Sequence, residues 1–191
     1  MFALITLLRA VSLLAFAGPM LLMASGRRAT HGTQAGQERG GRGPVVANFS
    51  AFAVFLSSLL IFSRSSNASL TVGLALSGCL LALAGAALVL RSRAALGRAW
   101  SLVPRAGQGT GLITTGPYRL VRHPIYLGLA IIALGQALAF ASWPALTIVL
   151  SAIVPTFAWR ARTEEKLLGR IFGERYAVYR QRTRMIIPYL L

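Results

Sequence analysis

Apolar runs of bilayer length recur along this chain, and they leave few architectures open to it. Residues 2–24, 45–63, 68–90, 125–141 and 145–161 are almost free of charged side chains. A helix needs roughly 20 such residues to cross the hydrocarbon core of a membrane, and lipid offers no partner to unpaired backbone groups. The expected fold is therefore all-α: an integral membrane helical bundle of five transmembrane helices, a single domain over residues 1–191 with a helical C-terminal tail. Composition agrees, since 55% of the residues are hydrophobic, more than soluble domains usually carry.

Charge orients the bundle. Net charge is +16, from 20 Lys and Arg against four acids; Lys166 is the single lysine and Asp is absent. In so apolar a chain this balance reads as positive-inside loops and contact with anionic lipid headgroups, not as a nucleic-acid surface. With the N-terminus outside, the loop arginines 27, 28, 39 and 42, the segment 91–124 and everything from Arg160 onward fall in the cytosol. Only Arg64 falls in an outer loop. Residues 1–24 lack the positive n-region and A-x-A site of a signal peptide, and cleaving them would put the two basic regions on opposite sides of the membrane. They are read as a span, with Arg9 placed to snorkel or face a neighbour and Pro19 as a candidate kink.

Several features have ordinary readings. Residues 25–47 are Gly-rich and basic, a loop in which His31 is solvated. Cys79 is a small packing residue inside an apolar run, and no Cys/His spacing suits a metal. Gly73, Ser77, Gly78, Ala82 and Gly85 put small side chains at helical spacing on the third span, a pattern that lets membrane helices approach closely. The glycines of GQGTG at 107–111 follow no strand and match no dinucleotide fingerprint. Leu168, Phe172, Tyr176 and Tyr179 form an amphipathic face lying back on the bundle or the interface, and Met185-Ile-Ile-Pro188 reads as a terminal anchor.

The stretch TGLITTGPYRLVRHPIYLG at 110–128 is different in kind. A residue before proline avoids the α region and proline suits the first helical turn, so the fourth span is expected to start at Pro124 with His123 held extended at its mouth. That helix end favours an anionic group. Tyr118 and Tyr126 flank it, and Gly111 and Gly116 allow the approach to wrap a ligand. An interfacial aromatic-and-arginine anchor would use the same residue types. Glu164, Glu165 and Glu174, three of the four acids, lie in the tail. Arg160 and Glu164 are four apart and share a helix face. The carboxylate could accept hydrogen bonds from a cationic or hydroxyl-bearing ligand, and Arg160 could hold a carboxylate or phosphate.

These residues resemble the isoprenylcysteine carboxyl methyltransferase and phospholipid methyltransferase superfamily of integral-membrane enzymes. LGRAWS (96–101), TTGPYRLVRHPIYLG (114–128) and RTEEKLLGRIFGERYAVYRQRTRMIIP (162–188) match its C-terminal pattern in order and spacing. The resemblance implies S-adenosylmethionine as cofactor, in a pocket formed by residues 91–124 and roofed by the tail 160–188, open to the cytosol. It implies that Leu112, Ile113, Tyr118, His123, Pro124, Ile125, Tyr126 and Glu164 contact that cofactor, and that Arg160 lies near the acceptor, with Arg160 and Glu164 serving catalysis. Arg122 and Glu165 are either structural or part of the site. The acceptor would be a lipophilic small molecule or lipidated substrate reached through the membrane. A sulfonium methyl needs mainly positioning and water exclusion, whereas an amine acceptor must first lose a proton. That leans toward a carboxylate, with a phospholipid amine as the alternative. An NADPH-dependent sterol-reductase-like enzyme shares a related RHPxY block, although EEKLL departs from its tail. A non-catalytic membrane protein is the remaining reading. Eukaryotic carboxyl methyltransferases have more spans than five, which leaves a prenylcysteine substrate open.

Overall fold

The computed structural model describes residues 1–24, 42–62, 68–97 and 111–186. It is helical apart from one isolated bridge among those residues. The helices are α1 (Phe2–Ala24), α2 (Arg42–Ile61), α3 (Ala68–Leu96), α4 (Pro124–Ala139), α5 (Trp143–Ile148), α6 (Val154–Phe172) and α7 (Glu174–Arg182). A 3-10 turn, Gly116–Arg119, precedes α4, and a π-helical segment, Val149–Ile153, joins α5 to α6. The loop with His31, residues 107–110 of the glycine run and Pro188 lie outside the described residues.

Four stretches are long and apolar enough to cross a membrane: Phe2–Leu21, Gly43–Ile61, Leu70–Leu96 and Trp143–Phe172. The expected fourth span is the 16-residue α4, a shorter apolar helix. It is also the most enclosed, with Ile132, Ala133 and Gln136 fully buried. The last long stretch is continuous through Pro155, which has no N–H to offer Ser151. The π turn over Val149–Ile153 widens the helix one turn before that proline and absorbs the mismatch. Pro19 likewise sits inside α1 without ending it.

The tightest packing is between α3 and α4. A Cβ at Gly78 would lie 2.4 Å from the Gly135 carbonyl oxygen, and one at Gly85 would lie 2.6 Å from that of Gly128. The helices run antiparallel with their backbones touching, which only glycine permits. Gly73 and Ser77 belong to the expected small-residue face but not to the contact: Gly73 has open space around it and both are exposed. The seam is Gly78, Ala82 and Gly85.

Helix α1 packs antiparallel on α4. Arg9 faces its neighbour: its Nε donates to the Ala139 carbonyl at 3.1 Å and its guanidinium lies 5.2 Å over the Phe140 ring. It thereby satisfies a free carbonyl at the end of α4. Gln136 donates from Nε2 to the Ser12 carbonyl at 3.3 Å.

Met185 and Ile186, the described half of the expected terminal anchor, are buried in the same core as α4 and α6. The chain after α7 lies beside the segment before α4 as a short parallel bridge, Val121 with Arg184. The Arg122 N–H donates to the Arg184 carbonyl at 2.8 Å and the His123 N–H to that of Met185 at 2.9 Å. The loop before α4 is thus held by backbone pairing with the tail.

Candidate functional site

Three elements converge at the N-terminal end of α4: the 3-10 turn with the residues after it, the second half of α6, and the tail. His123 has φ −123° and ψ 58°, outside the α region as its proline neighbour requires, and Pro124 opens the helix. Gly116 takes φ +61°, so the chain can turn into the 3-10 segment where a side chain would be strained. Gly173, at φ +52°, ends α6 and lets α7 fold back.

Glu164 is the centre of the site. Its Oε1 accepts from the Tyr126 hydroxyl and, at 3.1 Å, from Arg160 Nε. Its Oε2 lies 3.6 Å from His123 Nδ1, beyond hydrogen-bond reach. Glu165, one residue on, pairs with Arg122 Nε at 2.6 Å and lies 3.7 Å from His123 Nε2. The imidazole therefore stands between two carboxylates, 7% exposed, with Nε2 lacking a hydrogen-bond partner among the described residues. In a membrane protein ionisable groups gathered and buried in this way are a candidate functional site.

The rings are ordered too. His123 stacks on Tyr126 with centroids 5.4 Å apart and planes 6° off parallel, and Tyr126 stacks on Phe157 at 5.2 Å and 11°. The Arg160 guanidinium lies 5.4 Å over the Tyr126 ring, a cation–π contact that adds to its ion pair. Phe157 continues to Phe52 of α2 at 5.9 Å, and Phe52 to Phe16 of α1 at 5.3 Å.

Arg122 joins the site to the tail. Its Nη1 donates to the Thr183 carbonyl and, at 3.3 Å, to that of Arg180. The Tyr179 hydroxyl donates to the Tyr118 carbonyl at 2.7 Å. Burial pushes the Tyr179 phenol up to about 12. Burial, then Tyr179 and Glu164, push the Tyr118 phenol up as well, and burial first of all does the same at Tyr176. All three phenols therefore stay protonated across the physiological range.

Of the residues singled out in the sequence, Tyr118, His123, Pro124, Ile125, Tyr126, Arg160 and Glu164 surround this one place. Ile125 is buried in the core beside Tyr126. Leu112 and Ile113 are half-buried in the extended segment leading to the 3-10 turn, and Glu174 is exposed at the start of α7. Arg122 and Glu165 form the ion pair that ties the tail. Phe157 was missed, although it lies three residues before Arg160 and seven before Glu164 on one helix face. That spacing was the available signal.

A family model described as phospholipid methyltransferase matches residues 74–175, over half of the chain. This chain belongs to the phospholipid methyltransferase family. The family match takes in the whole of α4 and α6, most of α3, and both glutamates of the site. A protein-S-isoprenylcysteine O-methyltransferase of Schizosaccharomyces pombe is 34% identical over 79 residues, 41% of this chain and 34% of that one. One of Arabidopsis thaliana is 33% identical over 81 residues, 42% of this chain and 41% of that one. The cobalt-zinc-cadmium resistance protein CzcN of Cupriavidus metallidurans is 37% identical over 103 residues, 52% of this chain and 46% of that one. The matches thus span less than half the length of each of these relatives. Among solved structures, a eukaryotic intramembrane Ras methyltransferase, isoprenylcysteine carboxyl methyltransferase, shares the fold with a TM-score of 0.60 at 20% identity, over 94% of this chain and 68% of that one. Together with the long apolar helices, this fold makes the chain a multi-pass integral membrane protein.

Proposed function

We propose that this chain transfers a methyl group from S-adenosylmethionine to a lipophilic carboxylate at the membrane, as an isoprenylcysteine carboxyl methyltransferase does. The observation that carries this reading is Glu164, a carboxylate with Oε1 held by Tyr126 and Arg160 and with Oε2 3.6 Å from His123.

The residues fit that donor. Glu164 Oε2 suits an ammonium or ribose hydroxyl, His123 Nε2 and the α4 N-terminus suit a carboxylate, and Tyr118, Leu112 and Ile113 offer aromatic and apolar surface. When bound, S-adenosylmethionine supplies a methyl carbon that is electrophilic without further activation. The protein then has to align an acceptor with it and keep water away. Arg160, beside Glu164 and over Tyr126, is placed to hold a carboxylate with one oxygen free to attack. A carboxylate acceptor needs no proton removed. The aromatic ladder Tyr126–Phe157–Phe52 gives a lipid chain an apolar route between α2 and α6. We place five spans across the membrane, α4 completing the set, with the N-terminus outside and the site and tail in the cytosol, because that arrangement puts the arginines of 91–122 and 160–184 on one side.

A phospholipid amine is the second reading, favoured by the description of the matching family. It requires deprotonation of the acceptor, for which His123 is the nearest group.

The test is calorimetry with purified protein in detergent, using S-adenosylmethionine, NADPH and a Glu164→Ala variant. Micromolar-range binding of S-adenosylmethionine that weakens at least about tenfold in the variant is expected. Binding of NADPH alone would replace this reading with a reductase. Binding of neither would favour a non-catalytic protein. Transfer of labelled methyl to a prenylcysteine or to phosphatidylethanolamine then separates the two acceptors.

A further inference from the structure

Arg9 is the eighth residue of α1, a helix long and apolar enough to cross the membrane. A guanidinium stays protonated, and a charge within a span has to be met by a partner. The chain has four acids: Glu38, Glu164, Glu165 and Glu174. The last three belong to α6 and α7, and the Glu164–Glu165 cluster lies at the N-terminal end of α4. Arg9 lies against Ala139 and Phe140, at the other end of that helix, about 22 Å away along it. Glu38 comes after the far end of α1, which is likewise about 22 Å from Arg9. No carboxylate side chain is therefore placed to neutralise this arginine. The carbonyl end of α4 offsets only about half a charge. The contacts of Arg9 leave donors over. Its Nε is bonded to the Ala139 carbonyl. Nη2 is enclosed and has no hydrogen-bond partner among the described residues, whereas Nη1 is not enclosed. One rung deeper, the fully buried Gln136 donates from Nε2 to the Ser12 carbonyl at 3.3 Å and leaves its Oε1 unpaired. On its inner side the site thus has a donor and an acceptor, which suit a water, and the carboxamide oxygen repels an anion. Its outer side carries the charge and the open Nη1. Trp143, four residues beyond Ala139 and 71% exposed, marks the headgroup level at this end of the bundle.

We propose that Arg9 binds the phosphate of a phospholipid in the leaflet opposite the Glu164 cluster. A phosphodiester carries the one negative charge that the bundle lacks here, and its oxygens lie at the depth where Nη1 opens. Arginine to phosphate is a charge-assisted bond, and it is strengthened where water is scarce. The guanidinium is already fixed by the Ala139 carbonyl and the Phe140 ring, so little freedom is lost when the lipid arrives. The bound lipid then ties α1 to the C-terminal end of α4 from outside the bundle. None of this depends on which reaction the opposite end of α4 performs.

The experiment uses wild type stripped of lipid in a neutral glycoside detergent. Phenylglyoxal modifies arginine, and peptide mass mapping reads the rate at Arg9. Dioleoylphosphatidylglycerol should slow that rate at least about tenfold, the size of one hydrogen bond to a charged group. Dioleoylglycerol, which has the same chains without the phosphate, should leave it unchanged. Arg162, exposed on α6, is the reference: slowing at Arg9 no greater than at Arg162 would show general charge attraction and overturn the proposal. Equal protection by inorganic phosphate would overturn the lipid in favour of a free anion. An Arg9 that does not react in the lipid-free protein would be sealed inside the bundle, which overturns the proposal as well. Melting gives a second readout. Dioleoylphosphatidylglycerol should raise the melting temperature of wild type and of Arg162→Gln alike, and that of Arg9→Gln markedly less. An equal rise in all three would count against the site. If Arg9→Gln does not fold, the labelling of wild type decides alone.

Discussion

The two faces of α4 are built on opposite principles. Toward α3 it presents Gly128 and Gly135, and the backbones meet with no side chain between them. Toward α6 its first turn presents Tyr126 and Ile125, with His123 just ahead, and the contact there consists of rings, charges and hydrogen bonds. The first face has no freedom: a carbonyl oxygen occupies the place of a would-be side chain. The second has partners that can be exchanged, because a carboxylate held by a hydroxyl and a guanidinium can accept from a ligand as well. A rigid seam on one side of a helix is what allows a polar cluster on the other to keep its geometry.

Substitutions in the seam should have the largest effect. Gly135→Leu drives a side chain into the Gly78 carbonyl 2.5 Å away, and backbone cannot step aside as a side chain does. The loss should exceed the roughly 1–3 kcal/mol of ordinary overpacking. Gly73→Leu, on the same helix as Gly78 but in open space, is the control and should be tolerated. Yield of monodisperse protein in detergent and its melting temperature read both. If the two variants behave alike, the seam is not what holds α4 in place.

On the site side, removing one partner of a nearly buried pair is the next largest effect. Arg122 and Glu165 side chains are 9% and 10% exposed, and Arg122 also holds the Thr183 carbonyl. Arg122→Gln should therefore destabilise by about 3 kcal/mol and free the tail. Trypsin should then cut around Arg180 and Arg182 well before it does in wild type. An unchanged cleavage rate would mean that the bridge from Val121 to Arg184 is sufficient by itself.

Tyr126 separates ring from hydroxyl. Tyr126→Phe keeps the stack between His123 and Phe157 but removes the hydroxyl that Glu164 accepts from. A hydrogen bond to a charged group contributes about 1.5–3 kcal/mol, so cofactor affinity should change by about tenfold, with little loss of melting temperature. Tyr126→Leu should lose both. Equal behaviour of the two variants would assign the tyrosine to packing alone.

These contrasts also show what could be read from residues alone. The α4 start at Pro124, the small residues of α3 and the shared face of Arg160 and Glu164 follow from local rules of proline stereochemistry and helical spacing, whereas the meeting of Tyr118, His123 and Tyr126 with that pair was legible only through the family resemblance. The tail was harder. Nothing in Met185-Ile186 says that it pairs with the backbone of His123, 62 residues earlier by the numbering, because long-range pairing leaves no periodic trace. Nor does spacing within α3 say that Gly78 meets α4 while Gly73 meets nothing. That depends on where a second helix crosses.

The smallest effect concerns the clasp between Tyr179 and the Tyr118 carbonyl. The phenol can donate only while protonated, and burial raises its pKa from the ordinary 10.0 to about 12. For a group that stays neutral in the fold, stability is unaffected below pH 10. Above it the unfolded or undocked tail loses a proton that the docked tail keeps, so docking weakens progressively as pH rises from 10 towards 12. Phenolate absorbance should show a component with a midpoint near 12 that disappears in Tyr179→Phe, and tail docking should weaken over the same window in wild type. The phenylalanine variant should dock less well at neutral pH and change less on going alkaline. A lost component with its midpoint at 10 would mean that Tyr179 is exposed to water, and that the tail is held by Arg122 and the backbone bridge without it.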